Sequence, residues 1–176
     1  MANADTPKGF NPTGIIYGTG RYETGTAVAT AVFKSDLIGM LTSGYVRPAV
    51  ADETVTVGAA VGTTSATTAQ KALVAASTAA TVLVTDHPDQ KYIAQEDGDA
   101  TVLTRAEVGS NCNFIANAGS TTTGMSGQEI DSSANSVGAA QIRLIDIHRR
   151  PDNAFGANAD WLCRINEHFY ASTSGV

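Results

Sequence analysis

The chain has 176 residues, 43% of them apolar and 16% charged, with 17 acidic against 11 basic side chains and a net charge of -6. That is one domain's worth of chain, long enough to bury a core without a metal or a disulfide framework. The acidic balance argues against a protein that grips a phosphate backbone, and no apolar run approaches the roughly 18 residues of a membrane span, so neither nucleic acid nor membrane is expected as a partner.

Residues 1–20 carry Pro7, Gly9, Pro12, Gly14, Gly18 and Gly20 around Phe10, Ile15, Ile16 and Tyr17, and read as an extended N-terminal arm without a secretory signal. Aromatic residues spaced along such an arm imply that it lies down on something. The sequence leaves open whether that is its own body or a neighbouring subunit.

From Arg21, short apolar runs alternate with turn-forming residues: Ala27 to Phe33, Leu37 to Leu41, Tyr45 to Val50, Thr54 to Val61, Ala72 to Ala76, Ala80 to Thr85 and Gln90 to Gln95. The Thr and Val content favours strands, and this spacing suits a sandwich or a barrel. Ala69 to Ala80 has helical propensity, but its Thr and Ser content and lack of charge favour strand. Thr104-Arg105-Ala106-Glu107 is a Thr-x-x-Glu capping box, with Gly109 close behind, so at most a turn or two of helix is expected there.

In Asp160 to Tyr170, Trp161, Cys163, Ile165 and Phe169 share one face while Arg164, Asn166, His168 and Tyr170 share the other, the pattern of a half-buried strand. In Gln141 to Arg150 the apolar parity changes between Leu144 and Ile145, which predicts a bulge near Leu144 or burial on both faces. Residues 141–170 together read as a hairpin with a long tip after Pro151. The fold expectation is therefore a mainly β body over 21–171, a single barrel or sandwich with at most one or two short helices, between the arm 1–20 and a loose tail 172–176.

Motifs that would carry chemistry fall short. Gly119 to Ser126 has the glycine spacing of a phosphate-binding loop but places Met125 where the lysine must stand. Gly124-Met125-Ser126-Gly127-Gln128 lacks the second glycine of a nucleophile elbow. His87, His148 and His168 are scattered, and His87 belongs to a turn around Pro88. Glu96-Asp97-Gly98-Asp99 gathers carboxylates without the regular oxygen ladder of a dedicated calcium loop, and reads as an acidic hairpin tip. Cys112 and Cys163 read as two reduced, partly buried thiols, with a disulfide between them left open. No catalytic residue, no metal ligand and no cofactor is assigned.

Several blocks, in order along the chain, carry a resemblance: Met1-Ala2-Asn3-Ala4 with Gly9-Phe10-Asn11-Pro12; Thr85 to Asp97; Glu107-Val108-Gly109-Ser110-Asn111; Gly119 to Gly127; and Arg150-Pro151-Asp152-Asn153 through Ile165-Asn166-Glu167-His168. In these the chain resembles the capsid decoration, or cement, proteins of tailed bacteriophages, least so between Asp52 and Ala80. The resemblance implies a β-rich virion protein on the outer capsid surface, commonly a homotrimer, that bridges copies of the major capsid protein without enzymatic activity or cofactor.

For such a role the arm residues Phe10, Pro12, Tyr17 and Tyr22 are the expected interface anchors, with Arg149, Arg150 and Asn153 at the hairpin tip as a second group, because aromatic and Arg side chains dominate interface energetics. Two other readings compete with it. One is a tail or head-fibre component, and the other a small β-barrel carbohydrate-binding module with Trp161, Tyr92 and Tyr170 as stacking residues, although Trp161 shares a face with core residues. An enzyme ranks last.

Overall fold

The computed structural model describes residues 3–51, 53, 55–64, 71–136 and 138–171; the expected tail 172–176 lies outside them. Two antiparallel sheets carry the fold. One orders β1 (Asn11–Thr13), β7 (Lys91–Gln95), β11 (Asp160–Ile165), β10 (Ile142–Ile147), β8 (Asn111–Ile115) and β9 (Glu129–Ser136). The other orders β2 (Gly20–Thr24), β6 (Ala80–Thr85), β5 (Thr56–Thr63), β3 (Leu37–Met40) and β4 (Val46–Pro48). The sheets do not close on each other, so the mainly β body is a sandwich and not a barrel.

Side chains that alternate along each strand fill the space between the layers. In β11, Trp161, Cys163 and Ile165 are fully or almost fully buried while Leu162 and Arg164 stay half-buried, as the period-two pattern predicts. They meet Phe10, Leu37, Ala59, Tyr92, Phe114 and Leu144 in the main core. A second cluster built on Ile38, Val57, Val82 and Val84 is joined by Val32 and Val74, so the five-stranded sheet is apolar on both faces.

The parity change in 141–150 is resolved by a register shift between Leu144 and Asp146, where Leu144 faces Cys163 and Asp146 faces Leu162. This is the bulge expected near Leu144. It lets Leu144 and Ile147 both reach the interior while Ile145 is half-exposed. The capping box also forms: Glu107 Oε2 accepts from Thr104 N at 2.6 Å, and Thr104 Oγ1 accepts from Ala106 N at 3.2 Å. It opens one 3-10 turn, Arg105–Glu107.

Several expectations need correction. Ala27 to Phe33 and Ala72 to Ala76 are not strands; they pair through an isolated Val32–Val74 bridge that closes both backbone bonds of that pair. Two facing valines are enough to cover the outer cluster, and the flanking Ala29, Thr30 and Ala76 remain in solvent without a ladder. The strand expected over Ala69 to Ala80 is absent from its described part, 71–79; its first residues, 69 and 70, lie outside the described residues.

The strand expected over Asp160 to Tyr170 ends at Ile165. There Gln141 O takes Asn166 N, and the chain crosses to the other sheet, where Thr56 N donates to Glu167 O and Phe169 N to Thr56 O. That crossing turns His168 inward, 1% exposed, although strand parity had put it on the outer face. Conversely, β8 and β9 have no apolar run to announce them; β9 reads Glu-Ile-Asp-Ser-Ser-Ala-Asn-Ser.

Residues 3–13 of the arm lie on their own body. Asn11, Pro12 and Thr13 pair with Ile93, Tyr92 and Lys91. Gly9 at φ +68 makes the entry turn, and a Cβ there would fall 2.4 Å from both Ser35 O and Ser126 Cβ. Asn3 exchanges hydrogen bonds with Ala154 and reaches Ala157 O, which fastens the start of the chain to the long hairpin tip.

Candidate interaction surface

Between β1 and β2 the chain leaves the sandwich as a loop, with Gly14 at φ +72 opening it. Ile15, Ile16 and Tyr17 follow in succession, 73%, 54% and 52% exposed. Three adjacent large apolar side chains in water are costly for a free domain and mark an interaction surface when they sit on an ordered body. Tyr17 is held by stacking on His87, ring centroids 4.2 Å apart and planes within 16°. The turn that presents His87 is fixed in turn, since His87 Nδ1 accepts from Asp89 N.

Next to this loop a chain of hydroxyls runs across the surface. Tyr22 donates to Asp86 Oδ2 at 2.7 Å and shares a 2.6 Å hydrogen bond with the Tyr170 hydroxyl. Burial, followed by these two partners, raises the Tyr22 phenol above its ordinary value, so it stays protonated. Tyr170 is more than half exposed. Beneath it, His168 Nδ1 accepts from Tyr170 N, and burial lowers the His168 imidazole to about 4.

A groove of about 700 Å³ opens beside β4, with Val28, Phe33, Leu41 and Pro48 among its walls. Gln128 at its base is tied to the backbone on both ends: its Oε1 accepts from Leu37 N at 2.6 Å and its Nε2 donates to Ala49 O. Asp36 beside it accepts from Phe33 N, and burial raises its carboxyl to about 6 against the opposing hydrogen bonds of Ser126 and Phe33.

The expected interface residues are not brought together. Phe10 is fully buried in its own core, so it anchors the arm and is unavailable to a partner in this fold. Pro12 is half-buried in the edge strand β1. Tyr17 is exposed, and Tyr22 is half-buried with its hydroxyl committed. At the hairpin tip Arg149 pairs with Asp146, and Arg150 with Asp152 and Asp160, so the basic group is locally neutralised. Asn153 is structural in this fold: it donates to His148 O and Asp160 O and accepts from Asp160 N.

Of the stacking residues named for a carbohydrate module, Trp161 and Tyr92 are buried in the main core and only Tyr170 is accessible. Ile15 and Ile16 were not among the residues expected at an interface, although the signal stood in the sequence as three large apolar residues between Gly14 and Gly18. Both cysteines are buried and unpaired, and burial raises the Cys112 thiol to about 12.

Among the described residues no helix is long and apolar enough to cross a membrane. Neither a scan against protein-family models nor a search of curated proteins finds a match to this chain.

Proposed function

We propose that the protein is a structural, non-enzymatic component of a tailed-bacteriophage virion, a decoration subunit that sits on the outer face of the capsid as a homotrimer and bridges copies of the major capsid protein. The sequence blocks that resemble that family motivate the reading. The observation that carries it is the Ile15-Ile16-Tyr17 loop, an exposed apolar projection fixed to a rigid sandwich by the Tyr17–His87 stack.

Such a projection suits a protein that gains affinity only against an assembled neighbour. A subunit that binds the intact lattice and not the ruptured one stabilises the shell by mass action, and three weak attachments joined in one trimer reinforce one another through their effective concentration. The acidic body would also avoid adhering to DNA.

Light scattering on the purified protein, followed by co-sedimentation with decoration-free capsids of the parent virus, tests the proposal. A trimer that pellets with shells and raises their rupture temperature supports it. A monomer that ignores shells refutes it, and assembly into larger rings would favour the tail-component reading.

A further inference from the structure

The turn after β7 and the middle of β9 are 31–35 residues apart in sequence, yet their oxygen atoms converge. The isolated Glu96–Ile130 bridge and the Asp97 N to Ile130 O hydrogen bond bring them together. Around the hydroxyl of Ser132 stand Asp97 Oδ1 at 2.7 Å, Asp99 Oδ1 at 3.1 Å and Thr101 O at 2.5 Å. A hydroxyl has one proton to give, and the two charged oxygens are also held by backbone amides, Asp97 Oδ1 accepting from Ser132 N at 3.3 Å and Asp99 Oδ1 from Thr101 N at 2.6 Å.

A second observation lies beneath the cluster. Glu96 is fully buried, and its Oε1 has no hydrogen-bond partner. Its Oε2 accepts from Asn158 N at 2.6 Å. The Glu96–Ile130 bridge sets this carboxyl one residue before Asp97 and two residues from Ser132's position on the facing strand. Glu129 adds to the same negative field. None of Glu96, Asp97, Asp99 or Glu129 forms an ion pair with a Lys, Arg or His among the described residues. Glu96 and Glu129 are buried, Asp97 is half-buried and Asp99 is exposed; the buried carboxylates without a counter-charge are costly, and a bound cation nearby reduces that cost.

We propose that this cluster is a calcium site, held by Asp97, Asp99, the Thr101 carbonyl and Ser132, with Glu96 behind them. Among the described residues no three His, Cys, Asp or Glu side chains are placed to form a metal centre by themselves. The donor set here is two carboxylates completed by a carbonyl and a hydroxyl, all hard oxygen donors of the kind Ca²⁺ takes in sets of about six to eight with water filling the remainder. Asp97, Asp99 and Thr101 supply oxygens at every second residue, and Ser132 closes the set from a neighbouring strand. Asp99 and Thr101 are exposed, which leaves the ion a way in. The site ties the 97–101 turn to β9, and the inference does not depend on the virion reading.

The test is calorimetric titration of the EDTA-treated, dialysed protein with CaCl₂ to about 10 mM, the upper range for extracellular calcium modules, with thermal unfolding in parallel. One site per chain is expected, with unfolding raised by roughly 5 °C or more at a hundredfold excess over Kd. Asp99→Asn, at an exposed position whose amide oxygen can still accept from Thr101 N, should weaken binding about tenfold or more without changing circular dichroism. Absence of both heat and thermal shift overturns the proposal. So does binding that Asp99→Asn leaves unchanged, since the ion would then sit elsewhere, and a larger thermal shift from MgCl₂ than from CaCl₂ overturns the assignment to calcium.

Discussion

The ring of Phe10 meets that of Phe114 edge-on, centroids 6.0 Å apart and planes at 83°. One residue comes from the N-terminal arm and the other from β8, so the arm is part of the sandwich core. Edge-to-face packing adds to the burial of a large apolar ring. Phe10→Ala should therefore destabilise the isolated protein by about 3–5 kcal/mol. Urea unfolding measures this directly; an unchanged midpoint would return Phe10 to the surface as an interface anchor.

The exposed loop should behave in the opposite way. Replacing Ile15 and Ile16 together by Ser removes apolar surface that already faces water, so stability should stay within about 0.5 kcal/mol of the parent. If the loop is the shell-binding element, co-sedimentation with capsids should weaken by about tenfold or more. Full binding by a folded double variant would locate the shell contact elsewhere.

Gln128 is a buried amide that holds two backbone groups, Leu37 N and Ala49 O, of the segments bordering the groove. Gln128→Ala leaves both without their partner inside the protein. A loss of about 2 kcal/mol in chemical denaturation is expected, with Gln128→Glu also destabilising because its carboxylate cannot donate to Ala49 O. A neutral alanine variant would mean that water replaces both bonds.

His168 makes stability depend on pH with a definite sign. Its folded value, about 4, lies below the unfolded one near 6.5, because burial disfavours the imidazolium; Asp86 and Asp89 oppose this and His87 reinforces it. Stability from this group is complete above about 6.5 and is lost as pH falls toward 4, where the unfolded chain binds a proton that the folded one refuses. Asp36, with its folded carboxyl raised to about 6, works the other way and gains stability in acid, as do Glu96 and Glu129.

The contribution of His168 therefore has to be read against a variant. Urea melts of the parent and of His168→Gln at about pH 7.5 and pH 4.5 should differ in their gap by about 1–2 kcal/mol after allowance for solvent screening, with the parent losing ground in acid. A gap independent of pH would remove His168 from the acid response.

What the sequence determined alone was whatever depends on near neighbours along the chain. The alternation of Trp161, Cys163 and Ile165 marks a half-buried strand because side chains change face at every residue. The parity change near Leu144 needs a bulge for the same reason, and Thr104 and Glu107 cap a turn because they are three residues apart. The β class follows from such local preferences repeated along the chain.

The tertiary structure decided what depends on which strands become neighbours. Phe10 looked the same whether destined for a core or a partner, and only the β1–β7 pairing placed it. His168 kept the outward parity of its strand until the crossing to Thr56 turned it inward. The oxygens of Asp97, Asp99 and Thr101 lacked a closing donor within their own loop, and Ser132 supplies it from β9. Burial and convergence are properties of chain segments far apart in sequence, and no local periodicity encodes them.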